Sequence, residues 1–225
     1  MKKLALLFLL TLCFAFSYSQ SFEGSVVFKI TYENLPPEMK GHEGMMPTEF
    51  SFQIKNEKSR MEMSTMMGPA ITITDNKAKT STVLMNMMGQ KMKMTVDFDE
   101  AKEMADEANK QMDIQYVDGT KVIAGYTCKK AIMKIGADDE SGVENEGEIT
   151  FYYTQEIAPI EGMKGFEGVG LKGMPLEYTI NQQGITMMVT ATSVEKKSID
   201  ESVFLIPDGY TEMPANMKQA MQQQR

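Results

Sequence analysis

The chain has 225 residues, a formal net charge of −8 at pH 7 and 42% hydrophobic residues. A chain this acidic repels phosphate backbones, so nucleic acid is not expected among its partners. Its length suits a single sizeable β domain.

The first residues predict an export signal. A basic start, Lys2-Lys3, precedes an apolar run over Leu4–Phe16, and the small residues Ser17 and Ser19 stand at the −3 and −1 positions before Gln20. This is the order found in cleavable signal peptides. The run is shorter than the roughly 20 residues that a membrane-spanning helix needs. We therefore expect residues 1–19 to be removed near Ser19/Gln20, which leaves a periplasmic or secreted protein without a transmembrane segment.

The rest of the chain is predicted to form short strands separated by turns. Alternating or apolar stretches predict strands at 22–32, 50–54, 60–64, around Ile71, and at 80–88, 91–98, 120–123, 127–135, 148–154, 176–180 and 185–194, before a closing segment at Phe204–Pro207. We expect one β-rich domain over residues 20–213 and a tail over 214–225. The glycines and prolines between Ile157 and Pro175 predict a loop, whose part from Gly162 to Gly173 is a candidate lid.

One helix is predicted between the strands. Asp99 is a candidate N-cap, and Glu100 and Glu103 stand in the first turn, where acidic side chains favour the helix dipole. Apolar residues then follow at helical spacing as far as Met112. The fold class expected from this pattern is α+β, mainly β with one central helix. In it a curved antiparallel sheet, or half-open β-barrel, packs on the helix Asp99–Met112.

Methionine is unusually frequent, with 23 residues. Many of these methionines alternate along the predicted strands, and a period of two places side chains on one face of a sheet. The pattern fits ordinary core packing, and it also fits an adaptable cavity, because thioether side chains mould around apolar ligands. The candidate ligand-lining residues are Met61, Met63, Met85, Met87, Met92, Met94 and Met187.

A second methionine group lies in the Pro- and Gly-rich loop after the first strand. Met39, Met45 and Met46 surround His42, the only histidine of the chain. Thioethers suit Cu(I), so this loop is the alternative candidate site, for a soft metal. The leading interpretation needs no metal or other cofactor.

Enzyme chemistry finds little support in the sequence. Because the chain has a single histidine, any catalytic Ser-His or Cys-His pair would have to use His42. No nucleophile elbow, zinc motif, phosphate loop or dinucleotide fingerprint occurs. Cys128 is the only cysteine after the signal, since Cys13 would leave with it. Cys128 is interpreted as a small buried apolar residue, with a lysine-activated thiol as the alternative.

Four short motifs resemble one family. They are Phe22-Glu23-Gly24, Ile123-Ala124-Gly125-Tyr126-Thr127-Cys128-Lys129-Lys130, Pro175-Leu176-Glu177-Tyr178 and Phe204-Leu205-Ile206-Pro207-Asp208-Gly209-Tyr210. In them the chain resembles the exported bacterial family catalogued as domain of unknown function 4412, common in the Bacteroidetes group, to which no activity is attached. The strand-rich pattern is more loosely similar to periplasmic lipoprotein carriers, which are half-open β-barrels with an apolar cavity and a helical plug. This chain starts on a strand, whereas those carriers start on a helix.

The function expected from the sequence is non-catalytic. We expect an exported cell-envelope protein that binds an apolar ligand or a lipid-modified partner in a cavity lined by methionines. Copper or other soft-metal handling through the loop around His42 is one alternative, and a purely structural envelope domain is another.

Overall fold

The structure, a computed structural model, describes residues 22–37, 39, 41–65, 68–87, 89–97, 112–135, 147–159, 171–182, 185–215 and 217. The predicted signal peptide and most of the predicted tail lie outside these ranges. The strands are β1 Gly24–Glu33, β2 Glu49–Lys55, β3 Lys58–Thr65, β4 Gly68–Asp75, β5 Thr80–Met87, β6 Gln90–Asp97, β7 Met112–Ile123, β8 Tyr126–Ile135, β9 Gly147–Thr154, β10 Met174–Gln182, β11 Ile185–Lys196 and β12 Thr211–Glu212. Short 3-10 helices occupy Glu43–Met45 and Glu201–Phe204.

The twelve strands within the described ranges belong to one sheet, in the order β12-β6-β5-β4-β3-β2-β1-β11-β10-β9-β8-β7. Neighbouring strands are antiparallel, except that β12 runs parallel to β6. Two meanders compose this order, β1 to β6 and β7 to β11, and β1 joins them by pairing with β11. The chain passes from one side of the sheet to the opposite edge between β6 and β7.

A tight turn fixes the hairpin of β7 and β8. Ala124 has a φ of 47° and Gly125 a φ of 86°. A two-residue turn with both central residues at positive φ is of type I′, whose twist matches that of paired strands. The turn sets Ile123 opposite Tyr126, and the register of the whole hairpin follows from that pair until a bulge between Val117 and Thr120.

The main core lies on one face of the sheet, which we call the first face. Val26, Phe28 and Ile30 of β1 are each at most 6% exposed, because alternate residues of a strand share a face. The ring of Phe28 stacks on that of Phe50, with 4.8 Å between centroids, and meets Phe52 edge-on. The other meander extends this cluster with Ala131, Met133, Phe151, Tyr178 and Val189. Full burial of a large apolar side chain contributes about 1.5–3 kcal/mol.

The second face carries a smaller cluster over β4 and β5. Ile71, Ile73 and Leu84 alternate with first-face residues and pack with Ile199 and Phe204, which precede β12. This segment, residues 197–205, covers the second face where the sheet would otherwise expose aliphatic side chains.

Polar contacts hold the same segment in place. The Ile199 N–H donates to Glu23 Oε1 at 2.7 Å, and Lys55 Nζ donates to the Ile199 carbonyl at 2.6 Å. Arg60 Nη1 donates to the Val203 carbonyl at 3.3 Å. The backbone of the segment is thus bound to β1, β2 and β3 through side chains of those strands and their flanks.

The predicted α+β fold class is wrong. The described residues are nearly all β, and no α-helix packs on the sheet among them; helical geometry there is limited to the 3-10 helices and residues 215 and 217. Met112, expected to end the central helix, is the first residue of β7, while residues 99–111 lie outside the described ranges. Two residues further on, Ile114 pairs with Met133 and packs against the core on the first face. This packing between neighbouring strands stabilises a strand from Met112 onward, although the apolar spacing up to Met112 also fits a helix.

Candidate functional site

Six of the seven candidate methionines lie on the first face, according to the strand register. Met85 is paired directly with Met92, and Met187 with Ile180. Met87 belongs to β5, but its side chain lies outside the described part of the structure. One row of paired residues crosses β1 to β6 without interruption, and its members are Val26, Phe52, Met61, Thr72, Val83 and Met94.

The burial of these methionines is graded. Met92 is 4% exposed, whereas the others with described side chains are half-buried. Met61, Met63 and Met187 pack against the first-face core. The register places Met85, Met92 and Met94 on the same face of the sheet. We call this group the methionine face: Met61, Met63, Met85, Met92, Met94 and Met187.

A further methionine was missed by the sequence analysis. Met213 is 3% exposed, and its N–H donates to the Lys93 carbonyl at 2.8 Å. Thr211, two residues earlier, is paired with Met92, so the period of two places Met213 on the first face as well. No local pattern predicts this position, because it depends on the parallel pairing of β12 with β6.

Two pockets among the described residues lie away from the methionine face. One, of about 460 Å³, is lined by Gly44, Met45, Met46, Thr48, Glu49, Ser64 and Thr65. The other, of about 60 Å³, lies between Phe22, Ile54 and Ile157. The candidate lid, Gly162–Gly173, falls mostly outside the described residues, which include only its last part from residue 171.

The structure brings two of the alternative metal ligands together. His42 Nδ1 and Met45 Sδ are 3.3 Å apart. Two turns position them: the His42 N–H donates to the Met39 carbonyl at 3.1 Å, and the Met45 N–H donates to the His42 carbonyl at 2.9 Å. Met46 follows directly and lines the same pocket as Met45.

Cys128 is fully buried in the main core cluster as a free thiol. Burial, together with the nearby carboxylates of Glu177 and Glu156, raises the pKa of the Cys128 thiol to about 11. The thiolate is the reactive form of cysteine, so this environment opposes the lysine-activated alternative and favours the small buried apolar residue.

The sequence analysis also missed an ion pair between the buried carboxylate of Glu177 and the exposed ammonium group of Lys121. Glu177 is 7% exposed, and both of its carboxylate oxygens accept hydrogen bonds from Lys121 Nζ at 2.7 Å. The Thr190 hydroxyl donates to Glu177 Oε2 at 3.3 Å, and Lys121 Nζ lies 5.5 Å from the centroid of the Tyr152 ring. These contacts satisfy the carboxylate, and the cluster ties β7, β10 and β11 together.

Within the described ranges, no group of three or more His, Cys, Asp or Glu side chains is placed to hold a metal ion. In the same ranges no helix has the length and hydropathy needed to cross a bilayer.

Solved structures similar to this chain have low sequence identity. Lipoprotein LppX from Mycobacterium tuberculosis is 10% identical, with a TM-score of 0.42, and the match covers 79% of this chain and 89% of that one. LprF from Mycobacterium bovis is 12% identical, with a TM-score of 0.36 and coverage of 83% and 90%. A β-barrel-like protein of domain of unknown function DUF1849 from Brucella abortus is 8% identical, with a TM-score of 0.29 and coverage of 79% and 99%.

No curated protein matches the chain. The family model described as "Domain of unknown function (DUF4412)" matches residues 22–210, a span that includes β1 to β11 and the methionine face. The resemblance drawn from four short motifs is therefore confirmed, and the chain belongs to the DUF4412 family.

Proposed function

We propose that this chain is a non-catalytic, exported cell-envelope protein that binds an acyl chain on its methionine face. The acyl chain belongs to a free lipid or to a lipid-modified partner. The observation that carries the proposal is that Met61, Met63, Met85, Met94 and Met187 are half-buried on one face of the sheet. Three of them, Met61, Met63 and Met187, pack against the core.

The dimensions of the face suit such a ligand. Neighbouring strands are about 4.8 Å apart, so the row from Val26 to Met94 extends over roughly 24 Å. An acyl chain in one leaflet of a bilayer spans about 15 Å, half of the hydrocarbon core. Each methylene group buried against the thioethers contributes about 0.8 kcal/mol. Flexible methionine side chains allow the face to adapt to chains of different length.

The chemistry of the face supports binding without catalysis. Its longest row combines apolar side chains with Thr72 and contains no titratable group. The second face of the same strands is covered by Ile199 and Phe204, which leaves the methionine face as the more accessible apolar surface of β3 to β6.

A matched pair of variants tests the proposal. Met187 and Met188 are adjacent and both half-buried, but they point to opposite faces of β11. Burying an unpaired amide costs about 1–3 kcal/mol in proteins, so Met187→Gln should weaken binding of a fluorescent fatty acid by about tenfold or more. Met188→Gln should leave the affinity unchanged, and urea unfolding of both variants controls for stability.

Native mass spectrometry of protein purified from its own envelope identifies the source of the acyl chain. A bound species of small mass indicates a free lipid, and a bound acylated polypeptide indicates a lipid-modified partner. Equal loss of affinity in both variants, or protein that binds neither probe nor endogenous lipid, would refute the proposal and favour a purely structural envelope domain.

A further inference from the structure

The loop between β1 and β2 carries a second site, of different chemistry. We infer that His42 Nδ1 and Met45 Sδ, with the Met46 thioether as third donor, form a surface site for Cu(I). The two atoms are 3.3 Å apart. Nitrogen and sulfur donors bind a tetrahedral d10 metal ion at about 2.1 and 2.3 Å, which places two donors of one ion roughly 3 to 4 Å from each other. The observed separation therefore suits two ligands of a single ion.

The backbone holds the donors in this arrangement without help from a metal. His42 closes a turn begun by the Met39 carbonyl, and Met45 closes the next turn on the His42 carbonyl. The end of the loop is fixed to β1, where the Tyr32 hydroxyl donates to the Pro47 carbonyl at 2.9 Å. A preorganised pair loses less conformational entropy on binding than two free side chains would.

The surroundings of the pair favour a cation that enters from solvent. His42 is exposed and Met45 is 52% exposed. Met45 and Met46 line the same pocket, and Glu49 in its wall brings a carboxylate. Met46 directly follows Met45 in the chain and lines the same pocket, which makes its thioether the candidate third donor.

The donor set selects the type of metal. Thioethers are soft ligands, which suit Cu(I), whereas carboxylates and carbonyls suit Mg²⁺ or Ca²⁺. Imidazole binds copper as well as zinc, so His42 does not distinguish between the two metals. The thioether sulfurs of Met45 and Met46 favour Cu(I). The site contains no residue of the methionine face. A test of copper binding is therefore independent of the proposal that the protein binds an acyl chain.

A competition titration tests the site. The full chain is expressed, purified anaerobically from the envelope fraction and titrated with Cu(I) against the chromogenic chelator bicinchoninate; we expect one Cu(I) per chain. Mutating a residue that only hydrogen-bonds to a metal ligand typically lowers metal affinity about 10- to 100-fold. Removing a ligand itself, as in His42→Ala or Met45→Leu, should therefore lower the Cu(I) affinity by at least about tenfold. Both positions are exposed, so neither variant should change the unfolding midpoint.

Met217→Leu is the matched control, because Met217 is also exposed and follows β12 rather than β1. It should retain the wild-type affinity, and Zn²⁺ should not displace Cu(I). X-ray absorption at the copper edge should show sulfur together with imidazole nitrogen neighbours. The site is disproved if Cu(I) does not bind stoichiometrically, if the His42→Ala/Met45→Leu double variant keeps the wild-type affinity, or if the copper has no sulfur neighbour.

Discussion

At the scale of single residues, burial determines the chemistry of Cys128. With a pKa of about 11, the thiol is protonated at neutral pH, and its side chain is fully buried. We expect the native protein to react very slowly with a disulfide reagent such as Ellman's reagent at pH 7.5, and to react stoichiometrically once unfolded in guanidinium chloride. The absorbance of the released thiolate measures both rates. A prompt stoichiometric reaction of the folded protein would contradict this prediction.

Glu23 gives the fold a pH dependence. The hydrogen bond from the Ile199 N–H, followed by the charge of Lys55, lowers the pKa of Glu23 below its ordinary value of 4.5. Since the folded state favours the ionised carboxylate, the stabilisation is complete above pH 4.5 and is lost as the pH falls through the lowered pKa. We expect Glu23→Gln to melt below the wild type at pH 7, with a difference that shrinks in acid. Calorimetry of both proteins from pH 7 into acid measures the two melting temperatures. A difference between them that does not change with pH would exclude a role for the charge of Glu23.

At the scale of elements, the segment before β12 stabilises the sheet by covering its second face. Phe204 is 7% exposed against Ile71 and Leu84, whereas its neighbour Leu205 is 66% exposed. Phe204→Ala should lower the free energy of unfolding by about 3–5 kcal/mol. Leu205→Ala should change it by no more than about 0.5 kcal/mol. Urea denaturation measures both, and equal effects would show that the segment does not act through the buried ring.

At the scale of the whole molecule, we propose that the protein is exported and that residues 1–19 are removed. The mature chain in the envelope fraction should then begin at Gln20, and an intact mass determines this directly. Leu7→Arg interrupts the apolar run and should leave the precursor uncleaved in the cytoplasm. An envelope protein that still begins at Met1 would contradict cleavage. Cleavage also removes Cys13, so a reducing agent should not change the melting temperature.

The local pattern of the sequence was sufficient for most strands and for the faces of their side chains. Val26, Phe28 and Ile30 alternate with polar residues, and this period is a property of the chain itself, because successive side chains of a strand point to opposite sides. The same period predicts shared faces for Met61, Met63, Met85, Met92 and Met94, and the strand register agrees. At Met112 the prediction of a helix is wrong, because helical and strand spacing are both satisfied there locally.

Only the tertiary structure decided which strands that are distant in the sequence pair. The pairing of β1 with β11 and of β12 with β6 joins distant parts of the chain, as does the contact of Lys121 with Glu177. Such contacts form only when a long stretch of chain brings its two ends together. The pairing of the two ends leaves no periodic pattern in the sequence. Composition identified the loop of His42 and Met45 as a candidate, but its backbone turns set the 3.3 Å between nitrogen and sulfur. The sequence by itself therefore determined the strands, their apolar faces and the available donors. Only the fold decided which distant strands and faces meet, because those contacts join residues far apart in the chain.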